Sequence, residues 1–472
     1  MKHFYLKSLP TLLLLAWLAG SSLPAWAQQI QGAELTYTLD PANLLKMRGQ
    51  LTAYTDFSHT VPDNPEVHIQ VGPGQWVRVE RTRRSRLPDG YYKSVYQFDH
   101  VFPAPGTYPI SFGWQNRDVG MVNFTDSGNQ AFWITTEVMV DTEGTANQQS
   151  PQFLTNPVQV VPLGQTVRHH IGAYEPEGDS LTFQLVSSLR GPNTPATGYV
   201  LPDFVKLNAW TGELTYTNPA VAGLYALAVK ITEYRNKTPI GYVIRDFTII
   251  VRQPAATFAP SLAVKPGAGI TISPQNQIFI SPNQVLSLQA QLQDELADTT
   301  LLEIYSDLFA KTDKFQVVRN LSGKTSTIDL NLEADPALMR RAPYLMVVRA
   351  ESRQGRDVYS RDKSYTQELG FWVYIGSDIV DGVRPPAPVQ GLRLYPNPAA
   401  DVLYIDLPRF RPGLQLQVYT DGGQLVWQQV LLAGRTPLLR RHFAAGKYLY
   451  RIAPLSGYDH RGTAYSGRFI FR

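Results

Sequence analysis

The groups best placed for chemistry are cations and imidazoles, because the chain contains no cysteine. Disulfides, thiolate nucleophiles and Cys-built zinc or iron–sulfur sites are therefore excluded. Five arginines, Arg78, Arg81, Arg83, Arg84 and Arg86, lead into a Pro88-Asp89-Gly90 turn. Guanidinium forks match carboxylate and phosphate groups, so this hairpin reads as an anion site for acidic polysaccharide or lipopolysaccharide phosphate. The same charges also suit a solvated edge strand protected from pairing. Between the two terminal segments the histidines are His59, His68, His100, His169 and His170. Adjacent side chains on a strand point to opposite faces, so His169 and His170 cannot chelate one metal together, and all five read as structural. The sequence has no His-Glu-x-x-His helix, nucleophile elbow or phosphate loop, which argues against an enzyme. Carboxylates drawn from distant strands leave no local motif, so an exported carbohydrate-active hydrolase, or an accessory glycan-binding protein, stands as the alternative. Tyr92, Tyr96, Phe98 and Phe102 fall on one strand face and read as core before they read as a sugar platform.

The elements that must position these residues are strands. At 472 residues the chain is too long for one core, and about three or four domains are expected. Charged residues at 17% and apolar ones at 43% describe folded domains, while 25 Tyr, 35 Gly and 35 Pro lean toward β-structure with many turns. The formal net charge of +4 includes Lys2 and Lys7 of the leader, so the rest is close to neutral and gives no support for nucleic-acid binding. A tyrosine opens the next-to-last strand of four successive modules: Tyr108, Tyr225, Tyr344 and Tyr448. In immunoglobulin-like sandwiches such a tyrosine bonds back to an upstream turn and fixes the corner between sheets. Runs such as Val285–Leu292 and Thr327–Leu332 alternate with period two. The one short helical candidate is Asp335–Arg341, with Asp335 as cap and Pro336 opening it.

The fold class expected is all-β, a tandem of immunoglobulin-like β-sandwich domains. Polar or proline-rich stretches divide the chain into modules at 28–142, 152–253 and 258–376, a stiff Pro-rich spacer at 377–390, and a last module at 391–472. Ahead of them, Lys2 and Lys7, the apolar run Leu9–Gly20 and the small residues of Ala25-Trp26-Ala27 form a signal peptide over 1–27, with Ala25 and Ala27 as the cleavage signal. No later segment reaches about 18 consecutive apolar residues, so no transmembrane span is expected in the mature chain.

Three resemblances arise from these modules. Leu394-Tyr395-Pro396-Asn397-Pro398 opens the last module, Gly446-Lys447-Tyr448 starts its late strand, and Gly467-Arg468-Phe469-Ile470-Phe471 closes it. This order resembles the type A C-terminal sorting domain of type IX secretion, found in Bacteroidota. The resemblance implies export to the cell surface or medium with the type IX machinery as partner, and it marks Tyr395, Pro396, Asn397, Pro398, Gly446 and Tyr448 as the sorting motif. Asn397 is expected to close a local turn there. The opening Gln31-Gly32-Ala33-Glu34-Leu35-Thr36-Tyr37 resembles the start of Bacteroidota surface proteins, which implies association with an adhesive cell surface. Tyr174-Glu175-Pro176-Glu177-Gly178-Asp179, followed by Thr211-Gly212-Glu213-Leu214-Thr215-Tyr216, is similar to cadherin-like repeats, whose acidic turn can bind calcium between domains. Glu175, Glu177 and Asp179, joined by Glu233, would supply oxygens toward the six to eight that calcium takes; a plain solvated turn is the other reading. Taken together, the expected function is a non-enzymatic surface or secreted protein for adhesion or interaction. Its partners would be surface polysaccharide or another surface protein, and its only candidate cofactor is calcium.

Overall fold

The computed structural model describes residues 30–56, 64–87, 90–141, 147–253, 260–353, 364–376, 393–407, 414–420, 425–431, 434–454 and 465–472. The signal peptide with Ala25 and Ala27, the spacer 377–390, His59 and the Pro88-Asp89 turn lie outside them. The chain forms two compact units, Met1–Ser377 and Asp378–Arg472. Both are β-structures. Among the described residues the helices are single 3-10 turns, including Pro336–Leu338, whose Asp335 cap accepts from Ala337 N at 2.9 Å. No described helix is long and apolar enough to cross a membrane.

All four corner tyrosines close the corner that the sequence implies. The hydroxyls of Tyr108, Tyr225, Tyr344 and Tyr448 donate to Ala104 O at 2.8 Å, Val221 O at 2.9 Å, Leu338 O at 2.7 Å and Ala444 O at 2.8 Å. The alternating runs behave as half-buried strands. Leu286, Leu288, Ala290 and Leu292 face the core of the third module, and Ile328, Leu330 and Leu332 meet them from the neighbouring strand. That module is two facing four-stranded sheets: Ser261–Pro266, Val285–Gln293, Thr325–Glu333 and Phe315–Ser322 against Gln277–Ile280, Ser364–Ile375, Tyr344–Arg353 and Thr299–Ser306. The second unit repeats the plan with three strands facing four. Its core is built on Leu403, Ile405, Leu416, Val418, Phe469 and Phe471.

The first two modules are not separate beads on a linker, which corrects the picture of independent sandwiches. The seven strands from Ile30–Asp40 to Phe132–Val140 form one hydrogen-bonded path, and both ends of that path pair with Thr238–Arg252, the last strand of the second module. Gly32 and Ala33 lie opposite Phe247 and Asp246, while Thr136 and Glu137 lie opposite Val243 and Tyr242. The reason is length and charge. Thr238–Arg252 runs 15 residues and is buried on both faces over most of its course, including its adjacent charges Arg245 and Asp246. Their side chains leave opposite faces and meet different partners. Arg117 grips Asp246 with two bonds of 2.9 and 2.7 Å. Arg245 reaches Glu34 at 3.1 Å and the carbonyls of Ile171 at 2.6 Å and Thr155 at 2.5 Å, while Tyr54 donates to Glu34 at 3.1 Å.

The stretch read as a linker takes part in this joint. Gln149 bridges Thr38, and Ser150 exchanges hydrogen bonds with Tyr37 at 2.9 Å (Oγ accepting) and 3.1 Å (N donating). The third module joins the same unit through His169 and His170. Both are buried: His169 Nδ1 lies 3.9 Å from Glu368, and His170 is set against Gly370 and Trp372. The strand that carries them, Val167–His170, is covered on both faces, so neither ring reaches solvent.

Candidate functional site

The acidic turn of the second module lies where all three modules of the first unit meet. It begins after the short strand Ala173–Tyr174 and ends at Ser180–Val186. Gly178 has φ +95°, a conformation that suits glycine and lets the acids on either side converge. One carboxylate oxygen each from Glu175, Glu177 and Asp179 lies within 4.8 Å of the others. Glu175 folds back on the turn: Oε2 accepts from Gly178 N and from Asp179 N at 2.6 Å. Glu177 Oε2 accepts from Gln148 N at 3.1 Å and Gln149 N at 3.3 Å, tying the turn to the segment that follows the first module. Asp179 pairs with Arg235, at 3.1 Å to Nε and 2.6 Å to Nη2. From the third module, Arg340 donates to the carbonyls of Glu175 at 3.3 Å and Pro176 at 3.5 Å, while also holding Asp307 at 2.9 Å.

Glu233, on the late strand, lies near this cluster but is not among the three acids whose oxygens converge. It is fully buried, opposite Leu181, and Oε2 accepts from Asn147 Nδ2. Four buried oxygens here have no hydrogen-bond partner: Glu175 Oε1, Glu233 Oε1, Asn147 Oδ1 and Tyr37 OH. Unsatisfied buried acceptors are costly, and here they collect in one place. The electrostatics say the same. Burial pushes the Glu233 carboxyl well above the usual range, and the charges of Glu175, Asp179 and Glu177 add to it. Burial also raises Glu175 and Glu177. Arg235 pairs with Asp179 and, at 3.5 Å, with Glu177, and the clustered acids offer oxygens of the kind a hard divalent cation takes. The three converging carboxylates, Glu175, Glu177 and Asp179, are of the chemistry that a calcium ion would take.

Asn147, Tyr37 and Arg235 were not legible as parts of this site. Arg235 sits two residues beyond Glu233 on a strand, so it shares that side chain's face, which is the signal that could have found it. Asn147 lies in a run of small polar residues whose burial nothing local foretells.

The arginine hairpin divides. Thr82 is an extra residue between Arg81, opposite Tyr96, and Arg83, opposite Val95, and this bulge reverses the facing of the residues beyond it. Arg81, Arg84 and Arg86 take one face: Arg81 donates to Asn64 O at 3.3 Å, and Arg84 stacks 3.7 Å above the Tyr92 ring. Arg78 and Arg83 take the other, where Arg78 pairs with Glu66. The five do not form one anion site because they share no face. Tyr96, Phe98 and Phe102 are core residues.

In the second unit, Tyr395, Pro396, Asn397 and Pro398 are exposed ahead of the buried Ala399. Asn397 does not close a local turn. It accepts from Ile470 N at 3.0 Å and donates to Arg468 O at 3.3 Å, pinning the start of the module to its last strand. Tyr395 lies beside Tyr404 at a ring distance of 6.0 Å, and Tyr448, opened by Gly446, stacks on Phe469.

No curated protein sequence matches the chain. Among solved structures it is similar to the complex of Dpr2 Ig1-Ig2 with DIP-Theta Ig1-Ig3, at 11% identity, TM-score 0.17 and coverage of 70% of this chain and 94% of that one. It is similar to human Protocadherin-24 EC1-2 at 15% identity, TM-score 0.17 and coverage of 48% and 98%. A SusE-like surface located polysaccharide binding protein from the Bacteroides thetaiotaomicron heparin utilisation locus matches at 12% identity, TM-score 0.16 and coverage of 90% and 88%. Residues 393–457 match the family described as the secretion system C-terminal sorting domain, so the chain is a secreted or cell-surface protein that carries a type IX sorting domain.

Proposed function

We propose that the exported chain is a non-enzymatic adhesion or interaction protein whose three leading modules form a single presentation unit stiffened by calcium. The observation that carries this reading is the junction of Glu175, Glu177 and Asp179, with Glu233 and Asn147 buried near it, where the second module supplies the carboxylates, the segment after the first module donates to Glu177 and Arg340 of the third holds the turn. Calcium at a joint fixes the angle between neighbouring sandwiches, and a fixed angle serves a protein that must hold a binding face out from a cell. Type IX export delivers such a protein to the surface or the medium.

The test is calcium titration of the mature chain by calorimetry, with melting followed in excess chelator and in excess calcium. Saturation at 100 times Kd adds about 2.7 kcal/mol to the stability of the folded form. Glu233→Gln and Asp179→Asn should lose the heat of binding and the rise in melting temperature together. Absence of binding in the unaltered protein, or binding untouched by both variants, overturns the calcium joint. Release of sugars from polysaccharide by the mature chain would overturn the non-enzymatic reading.

A further inference from the structure

The bulge at Thr82 builds a second feature on the first module, independent of the acidic junction. After the bulge, Arg83 and Ser85 share the outward face with Lys93 and Val95 of the next strand, and Gln50 and Gln97 continue that face one row further on. These residues, with Thr82 and Leu87, line a groove of about 530 Å³. The volume lies within the roughly 300–1,000 Å³ of small-ligand sites. Beside it, Tyr54 and Tyr91 pack on Val158 and Ile250 of the second module, so the sheet is rigid there.

The charge in the groove is positive. Among the described residues no carboxylate lies within ion-pair range of Arg83 or Lys93, and the nearby Glu34 is committed to Arg245 and Tyr54. Burial lowers the pKa of the Lys93 ammonium, Glu34 opposes the shift, and Arg245 and Arg83 add to it. The remaining lining is neutral: Gln50, Thr82, Ser85 and Gln97 are polar, and Leu87 and Val95 are apolar. Gln97 donates to Gln50 at 2.9 Å, and the Thr82 hydroxyl is anchored on Val95 O at 3.0 Å. Amides and hydroxyls offer donors and acceptors for sugar hydroxyls, while a guanidinium fork matches a carboxylate or sulfate.

We infer that this groove binds an acidic saccharide, with Arg83 and Lys93 taking its carboxylate or sulfate and Gln50 and Gln97 its ring hydroxyls. The inference rests on the reading of the chain as an interaction protein and gives that protein a ligand class. It differs from an arginine-hairpin patch in its residues: Arg81, Arg84 and Arg86 are outside it.

The experiment is calorimetric titration of the full mature chain with an oligogalacturonate, a chondroitin sulfate oligosaccharide and a neutral dextran oligomer of similar length. Binding of either acidic oligomer but not of dextran is expected, and the tighter of the two identifies the anionic group. Arg83→Ala should weaken it about tenfold or more, the loss of one charge-assisted hydrogen bond. Gln97→Ala should weaken it without changing its dependence on salt, whereas Arg319→Ala, an exposed arginine on the third module, should leave it unchanged. Arg83 and Gln97 are both exposed, so their variants are expected to fold. Equal binding of dextran, indifference to Arg83→Ala, or equal weakening by Arg319→Ala overturns the site. Failure of the calcium joint is read separately: Glu233→Gln abolishes calcium binding there and leaves the affinity for the acidic oligomer intact.

Discussion

Removing Asp246 should loosen the first two modules together. Its carboxylate and the Arg117 guanidinium retain 1% and 2% of their side-chain exposure and face each other at 2.7 Å. Arg117 also donates to Leu189 O at 3.1 Å and lies over the Phe132 ring at 4.7 Å. Asp246→Ala leaves that guanidinium buried without its counter-ion, which costs about 3–5 kcal/mol. At about 2–4 °C per kcal/mol for a body of this size, the melting temperature should fall by roughly 6–20 °C. Scanning calorimetry should show the loss in one transition covering both modules, because the pair spans them. The double variant Arg117→Met with Asp246→Leu, which replaces the charges by apolar groups of similar reach, should recover most of the loss. A fall of no more than about 1 kcal/mol in Asp246→Ala would refute the argument. It would mean that the joint is wet and that the two modules are only loosely apposed.

Three further outcomes are expected. Tyr225→Phe removes one corner hydrogen bond and should cost about 1 kcal/mol in denaturant unfolding, with little change in m-value. Burial, opposed by Glu368, holds His170 down at about 4, below its unfolded value near 6.5. The unfolded state therefore takes up the proton first. The stability gained by keeping the ring neutral is complete above pH 6.5 and is lost as pH falls toward 4, by up to about 1.4 kcal/mol per unit. His170→Gln should flatten that part of the stability profile, as measured by chemical denaturation across the window. Deletion of residues 391–472 should stop appearance outside the cell, read by fractionation and immunoblot; unaltered export would contradict the role of the sorting domain.

What the sequence discloses is local. Each corner tyrosine bonds within four to six residues of itself, and each alternating strand declares its buried face by its own pattern. Glu175, Glu177 and Asp179 are neighbours along the chain, so their convergence needs only a glycine turn. The hidden contacts depend on distance or on one inserted residue. Arg245 and Glu34 are 211 positions apart, and Asn397 reaches a strand 73 positions away. Nothing in either segment names its partner. The bulge at Thr82 shifts the facing of every residue after it, and a pattern of alternating arginines cannot reveal where such a shift falls.

The closure of the first sheet by Thr238–Arg252 has a consequence for the order in which this chain acquires structure. Ribosomes deliver residues 30–140 well before 238–252, and until that last strand arrives both ends of the seven-strand path lack their neighbour. Pairings across more than a hundred residues form slowly, and open strand edges recruit other chains. A fragment cut at residue 142 should accordingly associate with itself, whereas one continuing through residue 253 brings its own closing strand. One late segment is thus the clasp that closes the leading module's sheet.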